Sequence, residues 1–435
     1  MIRRDKYLNK LINSKNNGFP KVITGIRRCG KSFLLKTLYK QYLLDNGVSE
    51  DRILILELDD SSNIEFRNPL KLHEYVLNFC KGKEDCYVML DEIQKVFTIV
   101  NPVLTNDKIV LAKSSDREVV SFVDVILGLS RQENIDLYVT GSNSKMLSSD
   151  IITEFRDKAT EIHLAPLSFD EFFAYNSGSP SDAIAEYMRY GGMPLAVLKN
   201  KEDKQTYLKG LFETTYFKDI LEHNALHKNE SLDELCNILS NSIGQLINCE
   251  KIANTYASRK KESIDKATVN RYISYFEDAF LIKEVKRFDV KGRNEIGALR
   301  KYYFSDVGLR NARLDFVFPD EGQLLENVVF NELLYNDYGI NVGTFDSYGK
   351  NKDDVTIRKT NEIDFYAVRN NRRYYIQVCN DISNALTKER ELSPYVALND
   401  QIQKILVINK PIDECIDERG FTIIGITDFL LRFIK

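Results

Sequence analysis

The run Val22-Ile23-Thr24, Gly25-Ile26-Arg27-Arg28-Cys29-Gly30-Lys31-Ser32 and Phe33 to Tyr42 constrains this chain more than any other stretch. It spells an apolar strand, a Gly-x4-Gly-Lys-Ser loop and an amphipathic helix. In that order, successive backbone N–H groups and a positive helix terminus converge on a phosphate chain. This is a Walker A loop in its required context. The backbone of Gly25, Ile26, Arg27, Arg28, Cys29, Gly30, Lys31, Ser32 and Phe33 would cradle ATP, with glycines permitting an approach that a Cβ would block. Lys31 would reach the β- and γ-phosphates, and the Ser32 hydroxyl would ligate Mg²⁺.

A second element fits the first. Cys86-Tyr87-Val88-Met89-Leu90-Asp91-Glu92-Ile93 is an apolar strand ending in two adjacent carboxylates, the Walker B pattern. Asp91 would hold the metal through water, and Glu92 is placed to polarise the water that attacks the γ-phosphate. The pair points to hydrolysis rather than to nucleotide binding alone. A further strand, Ile135 to Gly141, ends at Ser142-Asn143, where Asn143 would contact the attacking water or the γ-phosphate; a plain turn has the same sequence.

The chain has 435 residues, enough for about three domains. Its 60 basic and 64 acidic residues nearly cancel, for a formal charge of -4, so no global field draws it to nucleic acid or lipid, and any such contact is local. Met1 to Lys6 lacks the apolar core of a signal peptide, and no run approaches the roughly 18 apolar residues of a membrane helix. A cytoplasmic protein is expected. Seven scattered cysteines without a Cys-x-x-Cys pair read as free thiols in a reducing compartment. The four histidines lack ligand spacing, which argues against structural zinc.

In order along the chain, a short helix is expected over 7–12, strands over 52–58 and 86–93, and a helix between them over 69–80, giving an α/β beginning. Phe97 to Val100 and Lys108 to Leu111 flank a turn and read as a hairpin insertion near 97–120. The segment around Phe155-Arg156-Asp157-Lys158 offers a cation that would enter a neighbouring subunit's nucleotide site, in a homo-oligomer, or else a solvated surface pair.

The combination of Ile23 to Ser32, Leu90-Asp91-Glu92-Ile93-Gln94, Thr140-Gly141-Ser142-Asn143-Ser144 and Pro166-Leu167-Ser168-Phe169 resembles the prokaryotic AAA-type ATPases that carry a C-terminal domain of unknown function. The resemblance covers nearly the whole chain and implies ATP and Mg²⁺ as cofactors. In that family a Gly-Arg-Gly triplet precedes the Pro-Leu-Ser-Phe segment. Here Asp157-Lys158-Ala159 stands in its place, leaving Arg156 or Lys158 as substitutes for a finger. Tyr190-Gly191-Gly192-Met193-Pro194-Leu195 and Tyr216-Phe217-Lys218-Asp219 are also similar to the family's segments.

The expected architecture is thus α/β throughout: a P-loop ATPase core over 1–165, a helical lid over 166–228, a winged helix over 229–312 and a restriction-endonuclease-like domain over 313–435. The winged helix rests on helical runs at 232–243, 249–256 and 266–280 followed by strands at 281–285 and 300–304. Its third helix would present Lys266, Asn270 and Arg271 to DNA, supported by Arg259, Lys260, Lys261 and the cations between the strands, or else would serve as a protein adaptor. In the last domain, Glu326, Asp364, Gln377 and Cys379 take positions like those of a metal-dependent nuclease. An uncharged amide and a thiol at the last two suit a catalytically dead domain. Three readings follow: an ATPase coupled to a nucleic-acid-linked process, a nucleotide-controlled signalling or scaffold switch, and a Mg²⁺-dependent nuclease under ATPase control.

Overall fold

A computed structural model describes residues 2–113, 115–142, 159–176, 178–224, 226, 230–260, 264–317, 320–350, 356–398 and 400–435. The chain divides into two compact units, 1–165 with 278–280, and 166–277 with 281–435.

The first unit is built on five parallel strands: β1 Lys21–Thr24, β2 Ile53–Glu57, β3 Cys86–Asp91, β4 Ile135–Thr140 and β5 Thr160–His163. Their order across the sheet is β2-β3-β4-β1-β5. Strands β1, β3 and β4 are buried at every position, as a parallel sheet covered on both faces requires. One face packs on α3 (Pro69–Cys80) and α4 (Phe122–Leu129), where Leu54, Leu56, Val88, Leu90, Leu137 and Val139 meet Leu72, Val76, Ile126 and Leu129. Burying each such leucine contributes roughly 1.5–3 kcal/mol.

Both helices begin where the sequence dictates. Asn68 accepts the Leu70 N–H ahead of Pro69, and Ser121 and Asp124 form a reciprocal capping box. Toward the start of β1, the buried Lys21 ammonium pairs with Asp136, whose other oxygen accepts the Tyr138 hydroxyl at 2.6 Å. The insertion is more than a hairpin. Ile99 bridges Leu111, as the two apolar runs suggest, and Ile99–Val100 also pairs with Val119–Val120.

The second unit is organised on an eight-stranded mixed sheet. Its strands are β6 Ile282–Asp289, β7 Asn294–Phe304, β8 Gly339–Lys350, β9 Thr356–Arg369, β10 Arg372–Cys379, β11 Gln403–Ile408, β12 Cys415–Ile416 and β13 Thr422–Gly425. They lie in the order β12-β13-β11-β10-β9-β8-β6-β7. Helices α5 Phe169–Tyr175, α6 Pro180–Tyr190, α7 Lys201–Leu211, α8 Glu230–Asn241, α9 Cys249–Lys260 and α10 Lys266–Asp278 precede it, and α11 Val307–Arg313 and α12 Glu321–Tyr335 follow the β6–β7 hairpin.

Three helices and a hairpin thus occur in the expected succession, but the hairpin does not end as a free wing. Strand β6 pairs in parallel with β8, so the hairpin extends the large sheet. On α10, Val269, Tyr272, Ile273 and Phe276 are buried, the stripe expected from their spacing. At its last residue the outer edge of β7 is capped by Asn327 of α12, whose amide accepts the Phe304 N–H at 2.9 Å and donates to the Phe304 carbonyl at 2.8 Å, and farther back Ile247 bridges Arg300.

Glu332 on α12 is buried and accepts the Phe169 N–H at 2.6 Å, at the start of α5. Burial pushes its carboxyl up to about 8; Glu171 and Asp170 add like charge, against the Phe169 N–H and the Tyr187 hydroxyl. A raised carboxyl pKa favours the fold below the ordinary value of 4.5, and that advantage is lost as pH rises to about 8. Glu332→Gln keeps an oxygen for Phe169 and removes the titration. The Tm of the wild type is therefore expected to fall between pH 5 and pH 8 by about 3 °C or more beyond any fall in Glu332→Gln. Parallel curves in thermal melts would contradict this. Asp306, raised by burial to about 6, leaves a shallower slope in both proteins at the acidic end.

Candidate functional site

The phosphate loop leaves β1 at Thr24 and enters a helix at Lys31, which runs through Lys31–Phe33, a π segment Leu34–Tyr39 and Lys40–Asp45 (together α2). Gly30, at φ 104°, is the residue before the helix, a left-handed position suited to glycine. Gly25, at φ 140°, passes so close to the 164–165 segment that a Cβ would lie 2.2 Å from the Leu164 carbonyl oxygen. Arg28 is left-handed without being glycine, at φ 63°. Ile26 and Cys29 are buried, which anchors the loop by its side chains. Burial pushes the Cys29 thiol up, so it is an apolar anchor and not a nucleophile.

Lys31 is only 4% exposed, and its Nζ donates to the Gly25 carbonyl at 2.8 Å and the Ile26 carbonyl at 3.2 Å. Its ammonium is therefore held inside the turn of the loop. Ser32 is half-buried, while Arg28 and Phe33 are exposed.

The strand order places β4 between β1 and β3, so the phosphate loop and the Asp91-Glu92 pair emerge from the same end of two parallel strands separated only by β4. The ends are tied: Gly141 N–H donates to the Ile23 carbonyl at 3.1 Å, and Leu58 N–H to the Asp91 carbonyl at 3.1 Å. Thr140, the last residue of β4, donates its hydroxyl to Asp91 Oδ1 and accepts the Glu92 N–H at 3.0 Å. Asp91 is 4% exposed, and its Oδ2 accepts no hydrogen bond from the described residues. A buried carboxylate with one oxygen fixed and the other available suits a metal's hydration shell; with Ser32 it is the donor set on which Mg²⁺ would be held.

Glu92 adopts φ 54°, ψ 51°, a left-handed conformation that aims its side chain away from the strand direction. Gln94 Nε2 donates to Glu92 Oε2, and Ser142 Oγ donates to the same oxygen at 3.4 Å. Gln94, Thr140 and Ser142 therefore hold the two carboxylates. Only the sequence adjacency of Gln94 and the small polar residues after β4 hinted at this. Arg4 gave no hint at all. It is buried, with its guanidinium donating to the Ala165 carbonyl at 2.6 Å and reaching the Cys29 carbonyl at 3.5 Å, and it lies over the Tyr7 ring. The N-terminal segment thus braces the underside of the phosphate loop.

Asn143, Arg156 and Lys158 lie outside the described residues, as do Lys261 and the side chains of Arg259 and Lys260. Lys266, Asn270 and Arg271 are exposed on one side of α10, in the second unit. No helix among the described residues is long and apolar enough to cross a membrane.

Residues 17–173 match the model of an AAA domain, and residues 181–319 match a domain of unknown function (DUF8612). An uncharacterized protein of Haemophilus influenzae is 30% identical over 438 residues, covering 99% of each chain. The uncharacterized protein MJ1544 of Methanocaldococcus jannaschii is 27% identical over 392 residues, covering 86% of this chain and 77% of its own. Among solved structures, the Walker-type ATPase PABY2304 of Pyrococcus abyssi aligns with 72% of this chain and 96% of its own, at 13% identity and a TM-score of 0.45. The ORC1 protein of Aeropyrum pernix, solved in complex with DNA, aligns with 72% and 92% at 11% identity and a TM-score of 0.30. With its Walker A loop and acidic strand end inside the matched segment, this chain carries an AAA domain and belongs to the same family as the Haemophilus influenzae protein.

Proposed function

We propose that the chain is a Mg²⁺-dependent ATPase whose first unit binds and hydrolyses ATP and whose second unit transmits the nucleotide state to a nucleic-acid-linked process. The observation that carries the reading is the placement, at the same end of β1, β4 and β3, of a buried lysine in a glycine loop and a carboxylate pair fixed by Thr140, Gln94 and Ser142. The loop's N–H groups and Lys31 would take the phosphates, Ser32 and Asp91 would hold Mg²⁺, and Glu92 would accept the proton of the attacking water. When bound, the metal supplies charge neutralisation between the phosphates.

Nucleotide titration of wild type and Lys31→Ala with a fluorescent ATP analogue tests this directly. Lys31→Ala is expected to weaken binding by about tenfold or more, corresponding to loss of a charge-assisted hydrogen bond of about 1.5–3 kcal/mol. Equal affinity in the two proteins would refute the site. The exposed Lys266, Asn270 and Arg271, set opposite a buried stripe on α10, favour DNA as the material acted on. ATP turnover stimulated by DNA at low salt, and no longer stimulated after replacement of all three by alanine, supports that coupling. Turnover indifferent to DNA favours the switch acting on protein partners.

A further inference from the structure

The second unit contains a charged cluster of its own. Glu326 of α12 and Glu362 and Asp364 of β9 converge on one cation, the ammonium of Lys301 from β7. Nζ lies 3.0 Å from Glu326 Oε1, 2.9 Å from Glu362 Oε1 and 3.7 Å from Asp364 Oδ1. The lysine side chain is 2% exposed, those of Glu326 and Asp364 are 14% and 12% exposed, and that of Glu362 is 37% exposed. The cluster is thus buried on the lysine side and reachable from solvent at Glu362.

The groups that surround it are engaged by protein. Tyr303 donates its hydroxyl to Glu326 Oε1, and Val378 N–H donates to Asp364 Oδ2 at 2.8 Å. Gln377 accepts the Asp364 N–H at 3.4 Å and donates to Glu391 Oε2 at 3.0 Å, while Arg390 takes the other Glu391 oxygen at 2.9 Å. The Cys379 thiol donates to the Asp381 carbonyl at 3.3 Å.

Three convergent carboxylates with an open side form a donor set that in isolation suits a hard divalent cation. Here the donor set does not fit one. Mg²⁺ requires oxygens at about 2.0–2.1 Å in near-octahedral array, and the centre toward which the carboxylates point already holds a fixed positive charge, at hydrogen-bond distance from Glu326 and Glu362 and 3.7 Å from Asp364. We propose that Lys301 is the resident cation of this cluster, standing where a metal would stand, and that the cluster consequently takes no metal and cuts no nucleic acid. The lysine joins β7, α12 and β9 by one ammonium, so the same group that excludes a metal fastens the hairpin to the large sheet.

Burial and the neighbouring Glu326 raise the Asp364 carboxyl well above the usual carboxylate range, and the Lys301 charge only partly opposes this. Burial works against the charge on Lys301, and the acidic groups around it, Glu326 first, together outweigh that effect. The nuclease reading of Glu326, Asp364, Gln377 and Cys379 thus meets an obstacle that the sequence spacing does not reveal, because Lys301 is 25 residues before Glu326 and 63 before Asp364.

The experiment is Mn²⁺ binding by the full chain without nucleotide, followed by paramagnetic resonance, with Asp91→Asn in every protein to silence the first unit. Wild type and Asp364→Asn are expected to bind Mn²⁺ equally poorly, because neither offers a vacant site. Lys301→Ala is expected to gain about tenfold or more in Mn²⁺ affinity, the scale on which single groups around a metal act, and Lys301→Ala with Asp364→Asn to lose that gain. Binding by the wild type that Asp364→Asn abolishes would overturn the proposal, as would a folded Lys301→Ala protein that gains no binding. If Lys301→Ala does not fold, the wild-type and Asp364→Asn comparison decides. Plasmid cleavage by the wild type with Mg²⁺ or Mn²⁺ that Asp364→Asn removes would overturn it equally.

Discussion

Replacing Glu92 by glutamine is expected to leave ATP binding intact and to slow hydrolysis by a factor of about 10²–10⁴, the contribution of a positioned general base. The side chain lies off the loop proposed to take the phosphates, so its loss is expected to fall on the chemical step and not on affinity. Its carboxylate is aimed by three independent devices: the left-handed backbone at φ 54°, the Thr140 hydroxyl on its N–H, and the pair Gln94 and Ser142 on Oε2. The introduced amide keeps the shape and one acceptor but cannot take a proton. Steady-state turnover beside nucleotide titration separates the two effects. Wild-type turnover in Glu92→Gln, with binding unchanged, would remove Glu92 from the chemistry while leaving the phosphate site in place.

Gly25→Ala has the largest expected effect on stability in the first unit. The new methyl would meet the Leu164 carbonyl oxygen at 2.2 Å, and φ 140° is closed to an L side chain. Neither problem is relieved by a rotamer change, since the obstruction is backbone. A loss of about 3 kcal/mol or more is expected, together with loss of nucleotide binding, because the loop must move away from β5 to accommodate the change. Gly30→Ala is the matched control. Its φ of 104° is also strained for alanine, but no atom lies within 4 Å of the added carbon. Only the backbone cost of about 1–2 kcal/mol is therefore expected there. Urea denaturation with unchanged m-values would measure both; equal losses at the two glycines would show that contact with Leu164 is not what fixes Gly25.

The strands and helices of the first unit were legible because their signals are local. The helix expected over 69–80 is Pro69–Cys80, bounded by an Asn cap and a proline at its first turn. The strands around Val22, Leu54, Val88 and Leu137 are continuous apolar runs, the pattern of a sheet covered on both faces. In the second unit the buried stripe of α10 was legible for the same reason, and the long strand Gly339–Lys350 was not. Its Gly-Ile-Asn-Val-Gly-Thr start lacks a clean alternation, and it is held by pairing on both sides, with β6 and β9. Pairing of that kind is tertiary and leaves little trace in the strand's own composition.

By itself, then, the sequence determined the parts that depend on neighbours along the chain: the strand-loop-helix of Val22 to Tyr42, the carboxylates closing β3, and the amphipathic helices. Tertiary structure alone decided where distant side chains meet. Nothing beside Arg4 in the sequence names the Cys29 and Ala165 carbonyls it reaches, and nothing beside Gln94 or Ser142 shows that both hold Glu92. Lys301 lies in the strand expected over 300–304, where nothing local names its partners, and it pairs with Glu326 and Glu362. The physical reason is the same each time. A buried charge is stable only beside a compensating group, and which group that is depends on the packing of elements tens to hundreds of residues apart.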